Sequence, residues 1–153
     1  MEPVTIQPVE LSNLDAAALL FDAQLREHQV QPTSNGLRDV VRAVVVNPHR
    51  GFILLASLNG APVGVAYAAA LLSLEHEGVI GWLEELYVRP ENRNAGIGSG
   101  LLREVISRAC GLGWEGIELE LIAGHERAAS IYLRHNFRRL SRHRFCRLFS
   151  RGN

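Results

Sequence analysis

Two adjacent carboxylates, Glu84 and Glu85, interrupt the apolar run Trp82-Leu83-Glu84-Glu85-Leu86-Tyr87-Val88, and shortly afterwards comes Arg93-x-x-Gly96-x-Gly98. A carboxylate inside an apolar strand is costly without partners, which argues that at least one of the pair has a chemical task. Strand alternation sends the two to opposite faces and places Glu84 on the face of Leu86 and Val88. The alternative is that both lie toward solvent where strands splay. The second stretch suits an anion. Pro90 ends the ladder, and Leu101, Leu102, Val105, Ile106 and Ala109 mark a helix that starts after Gly98. A loop entering a helix presents unpaired N–H groups and the positive end of the helix dipole, and Gly96 and Gly98 let a phosphate come close. Many such joints bind nothing, so neighbouring residues must narrow the reading. A Walker-type loop needs a lysine, but all 16 basic residues are arginine. A dinucleotide fingerprint needs a third glycine, where this chain has Leu101 or Arg103, depending on the starting glycine.

What remains, Arg93-x-x-Gly96-x-Gly98 after a strand ending Leu86-Tyr87-Val88, resembles the pyrophosphate loop of the GNAT superfamily of acetyl-CoA-dependent N-acetyltransferases. Residues 125–137 are similar to that family's next motif, with Ala128, Tyr132 and Phe137 in register. His125 stands where asparagine is usual, and Asn136 where glycine is usual; asparagine tolerates the left-handed backbone expected after a helix. The resemblance covers nearly the whole chain and is most specific over 82–137. It implies a GNAT-like α/β mixed sheet of about seven strands with helices on both faces, and acetyl-CoA as cosubstrate.

The resemblance also implies roles. Arg93 and the N–H groups of Asn94, Ala95, Gly96, Ile97, Gly98 and Ser99 would hold the pyrophosphate. Leu86 and Val88 would offer backbone groups to the pantetheine arm, and His125 takes the place of a pantetheine contact. An alkyl amine with pKa about 10.4 is scarcely neutral at pH 7, so a positioned base is useful. The Glu84-Glu85 pair is similar to the acidic pair of spermidine/spermine acetyltransferases, which makes Glu84 the base and Glu85 an acceptor-binding carboxylate. Tyr132 would protonate the departing thiolate; alternatively, sharing a helical face with Ala128, Ile131 and His135, it belongs to the core. Neither cysteine falls in a matching motif, so direct attack in a ternary complex is expected.

The whole chain bounds these readings. Its 153 residues suggest a single domain, and 47% hydrophobic residues with zero formal net charge describe an ordinary globule. No segment is apolar enough for a membrane span and no basic leader is evident, so a cytoplasmic location is expected. Cys110 and Cys146 match no metal spacing and read as small buried hydrophobes; no metal is assigned. Seven arginines lie from Arg134 onward. They read as a solvated strand edge, with Arg134 near the CoA 3′-phosphate, in preference to a nucleic-acid surface. The acceptor is a small-molecule or peptide amine, a polyamine being one candidate, and the residues leave open whether a homodimer closes the site. The alternative function is a CoA-binding sensor or partner-binding module without turnover.

The elements that must position these groups follow in order. Val4–Val9 reads as an edge strand. A helix capped by Ser12 or Asn13 carries Leu14, Ala18, Phe21 and Leu25, and a second, capped by Ser34 or Asn35, carries Leu37, Val40, Val41, Val44 and Val45. The loop His28–Thr33 is where the resemblance places substrate choice. Asn59-Gly60 turns a hairpin between 51–58 and 62–74, and 79–88 returns as the central strand. Ile117–Leu121 reads as a strand, 126–135 as a helix, and 138–149 as a final strand pair or one bent strand.

Overall fold

Asn59 and Gly60 both adopt positive φ, 51° and 80°, the turn geometry that matches the twist of paired strands. They join β2 (Gly51–Leu58) to β3 (Ala61–Ser73), with Leu58 opposite Ala61. The computed structural model describes residues 3–150. It divides into two compact units, one ending at Glu120 and one starting at Leu121. In the first, β1 (Val4–Pro8), β2, β3 and β4 (Gly78–Val88) pair antiparallel in sequence order. The short β5 (Gly116–Glu118) joins β4 in parallel. Parallel pairing needs a crossover, and α3 (Ile97–Gly111) supplies it.

Helices cover both faces because alternate strand residues are apolar on each. On one face α1 (Leu14–Glu27) and α2 (Ser34–Val45) pack Leu14, Leu20, Phe21, Val41 and Val44 against Ile53, Leu55, Val65 and Tyr87. The intervening residues Leu54, Ala56, Ala66 and Ala68 are buried too, on the face that α3 covers with Leu101, Leu102 and Val105. Gly64 shows how closely α3 approaches: a Cβ there would lie 3.1 Å from Leu101 Cδ1. Leu20, Leu54, Leu101 and Leu102 are fully buried, so truncating any of them to alanine costs about 2–5 kcal/mol.

Three helices stop in the same way. After α1 the N–H of Val30 donates to Leu25 O and that of Gln29 to Arg26 O, with Gln29 at φ 62°. After α3 the corresponding pairs are Trp114 to Ala109 and Gly113 to Cys110, with Gly113 at φ 76°. This paired closure satisfies orphan carbonyls and requires a left-handed residue at its centre. Thr33, a residue earlier than the sequence suggests, caps α2: its Oγ1 accepts from Gly36 N at 3.2 Å.

In the second unit α4 (Glu126–Arg134) ends in the third such closure. Asn136, at φ 66°, donates to Leu133 O, and Phe137 donates to Tyr132 O. The asparagine-for-glycine departure is thus absorbed by a left-handed backbone, as expected.

Two expectations are corrected. Five strands form among the described residues, not about seven, because 138–150 carries no strand. That segment holds Arg138, Arg139, Arg142, Arg144 and Arg147, is exposed throughout, and alternates too poorly to bury a face that would offset backbone ordering. Cys110 and Cys146 are exposed, not buried; Cys110 falls off the Leu101-Leu102-Val105-Ala109 stripe that α3 buries.

Candidate active site

Tyr67 pairs with Glu85 and Ala68 with Leu83, so Glu84 is an extra residue in the β4 ladder. Such a bulge resets the side-chain alternation. The consequence reverses one expectation: Glu84 and Glu85 both line one cleft, and Glu84 does not share a face with Leu86 and Val88. The expectation failed because strict period two holds only in an uninterrupted ladder.

The cleft, about 100 Å³, lies between α1, α2 and the sheet. Phe21 and Leu25 come from α1; Leu37, Val40, Val41 and Val44 from α2; Ile53 and Tyr67 from β2 and β3. Most of the cleft-lining side chains are therefore on the helices themselves, where their stripe reads in sequence as ordinary core. Burial, and secondly the charge of Glu84, push the Glu85 carboxyl from 4.5 up to about 7. Glu84 is the more exposed of the two. Burial and Glu84 likewise push the Tyr67 hydroxyl up. A carboxyl half-ionised near neutrality in an apolar cleft can accept a proton from an amine.

Beyond Trp82 the parallel pairing of β4 with β5 stops, while β4 continues to Val88. Leu86 and Val88 thus have no ladder partner on that edge among the described residues of the unit. A strand-like ligand arm can pair there. Immediately after it, Asn94 and Gly96 take positive φ, 63° and 83°, and Gly96 caps α3 without any side-chain hydrogen bond. Left-handed residues at a helix start turn consecutive N–H groups toward one point, as an anion needs. A Cβ at Gly96 would meet nothing within 4 Å, so the space in front of the loop is open to a diphosphate. Ala95 is exposed, Gly98 and Ser99 lie in the first turn, and Ile97 anchors it with a buried side chain.

Arg93, at the start of the loop, also makes contacts within the chain. Its Nε donates to Val88 O at 2.8 Å and its Nη2 to Glu27 Oε2 at 3.0 Å, with the guanidinium 5.5 Å from the Tyr87 ring centroid. Tyr87 Oη donates to the same Glu27 at 3.2 Å. Burial first, then Glu27, push this hydroxyl up. Arg93 therefore ties the end of α1 to the end of β4. Glu27 was not evident from sequence, since a carboxylate in the last turn of a helix has no motif around it.

In the second unit Tyr132 packs edge-on against Phe137 with centroids 5.7 Å apart. This is the apolar contact that accompanies the α4 closure, so the Tyr-x-x-x-x-Phe spacing has a structural reason of its own. His125 occupies the cap position of α4. No group of three or more His, Cys, Asp or Glu that could hold a metal is found among the described residues, and no described helix is long and apolar enough to cross a membrane.

Among solved structures the chain is similar to an integron cassette protein from the mobile metagenome of Cole Harbour Salt Marsh, at 20% identity and TM-score 0.85, covering 96% of this chain and 91% of that one. A possible acetyltransferase from Clostridium difficile 630 matches at 19% identity and TM-score 0.82, covering 98% and 100%. The aminoglycoside N-acetyltransferase AAC(6')-Iy, in complex with CoA, matches at 15% identity and TM-score 0.84, covering 97% and 96%. These likenesses establish the fold. A comparison with curated proteins gives no match. Residues 49–139, more than half of the chain, match the model of the acetyltransferase (GNAT) domain. With the open β4 edge and the glycine loop both inside that span, the chain belongs to the GNAT acetyltransferases, acyltransferases that take acetyl from acetyl-CoA.

Proposed function

We propose that this acetyltransferase acts on the primary amine of a small molecule held in the cleft between α1, α2 and the sheet, by direct attack in a ternary complex. The observation that carries the reading is the bulge at Glu84, which turns two neighbouring carboxylates into one apolar cleft. Glu85 takes the amine proton, because its carboxyl, held up to about 7, is matched to that task at neutral pH. Glu84 attracts the cationic amine and keeps the affinity of Glu85 for protons high. This exchanges the two roles that the resemblance to spermidine/spermine acetyltransferases implies. The N–H groups of Asn94–Ser99 hold the diphosphate, and the β4 edge at Leu86 and Val88 guides the arm that carries the thioester. Tyr132 supplies the proton to the leaving sulfur, and His125 contributes to the arm's binding. The family match, residues 49–139, takes in part of each unit, in keeping with residues 1–153 as a single acetyltransferase domain. Solved neighbours include aminoglycoside acetyltransferases, one in complex with sisomicin, which supports a small-molecule acceptor.

Thiol release from acetyl-CoA over a panel of primary amines tests this. At least one amine should give turnover that Glu85→Gln reduces by about 10²-fold or more. Turnover with no dependence on Glu85 or Glu84 would remove the cleft from the mechanism. Tight binding of CoA with no turnover on any amine would instead favour the sensor reading.

A further inference from the structure

We propose that the preferred acceptor carries a compact apolar tail of about four or five carbons on its primary amine, buried among α1, α2 and β2, and that this cleft disfavours polyamines and aminoglycosides; this rests on the acetyl-transfer reading above. Apart from Tyr67 and the two glutamates, every lining residue is aliphatic or phenyl. Glu84 and Glu85 are adjacent in β4, so the cleft is acidic at one place only. A second ammonium of a polyamine would lie among Phe21, Val41 and Ile53, and sugar hydroxyls beyond reach of Tyr67 and the glutamates would lose their water without gaining partners. The cleft's volume of about 100 Å³ is below the roughly 150 Å³ of an apolar cavity that accepts benzene. Val40 lines it yet is 57% exposed, leaving apolar surface at the rim for a tail to cover. In the reaction the nitrogen forms its bond to the acetyl carbon as the C–S bond breaks, the amine proton passes to the carboxylate, and the departing thiolate takes a proton from the general acid, Tyr132 in the reading above, so that CoA leaves as the thiol.

The test is the kcat/KM of the wild-type chain for ethylamine, propylamine, butylamine, pentylamine and octylamine, with spermidine and kanamycin alongside. Each methylene up to pentylamine should raise kcat/KM by roughly fourfold, octylamine should gain nothing more, and the two polycations should fall about tenfold or more below pentylamine. A flat series, or spermidine or kanamycin ahead of pentylamine, overturns the proposal while leaving acetyl transfer intact. If no amine releases thiol, the acetyl-transfer reading fails, and calorimetry with CoA-loaded protein decides the seat. Pentylamine binding more tightly than ethylamine, with the difference lost in Val40→Trp, upholds it; equal or absent binding of both overturns it.

Discussion

At Glu84 and Glu85 the proposed chemistry sits on side chains whose direction depends on one extra residue in the β4 ladder. At Asn94–Ser99 it sits on backbone N–H groups whose direction follows from the left-handed φ of Gly96 and the start of α3. The two regions are separated in sequence by only a few residues. The difference teaches that charge recognition by backbone is written locally, whereas a side-chain site needs its partner strands and covering helices before it exists. The first is tolerant of chemistry and intolerant of shape; the second is the reverse.

Removing the side-chain chemistry should have the largest effect. Glu85→Gln should lower kcat/KM by about 10²–10⁴-fold, more than Glu84→Gln does, with CoA affinity by calorimetry changed by less than about twofold. A larger loss in Glu84→Gln would restore Glu84 as the base. Tyr132→Phe should keep its edge contact with Phe137, yet slow turnover by about 10²-fold. An unchanged rate would leave Tyr132 only its part in closing α4.

Changing shape in the loop comes next. Gly96→Val forces a branched residue to φ 83°, costing about 1–2 kcal/mol of stability, and should weaken CoA binding by roughly tenfold. Gly96→Asn, which tolerates that backbone, should recover the stability but not the affinity, since the added side chain crowds the anion. Recovery of both would show that close approach at Gly96 is not required.

The pH dependence sharpens the carboxylate half of the comparison. A base must be ionised, so kcat/KM should rise through pH about 7, the value to which burial and Glu84 push Glu85. Glu84→Gln removes the like charge and should move this limb to lower pH. Stability should run the opposite way. Because the folded Glu85 carboxyl titrates at about 7 and the ordinary value is 4.5, the folded chain binds more protons between those limits. Its stabilising contribution is therefore complete below about pH 4.5 and lost as pH rises through 7. Glu85→Gln should consequently raise the melting temperature at pH 8, by roughly 2–4 °C for each 1 kcal/mol relieved. A fall at pH 8 would mean that the carboxylate has a stabilising partner. The smallest effect belongs to Arg93→Gln, which breaks an exposed pair with Glu27 and should cost about 0.2–1 kcal/mol, read as a melting shift.

Local chemistry made much of this chain legible before any packing is considered. Asn59-Gly60 specifies its turn because both residues accept positive φ, the α3 stripe specifies a buried face through 3.6-residue spacing, and Gly96 specifies the left-handed turn at the start of α3. Asn136 signals its left-handed backbone for the same reason. None of these needs a distant residue. The strand expected over 138–149 was illegible because a strand exists only through a partner, and composition alone does not supply one.

The site itself was decided by tertiary structure. Whether Glu84 faces Leu86 or the cleft depends on which residue of β3 pairs with Glu85, a register that arises between strands. Likewise Phe21, Val41 and Ile53 are interchangeable with core residues in sequence, and become a cleft wall only because α1, α2 and β2 leave space among them. The pairing of Arg93 with Glu27, 66 residues apart, follows the same logic. Backbone conformation is a property of a few consecutive residues, whereas side-chain convergence is a property of the folded chain.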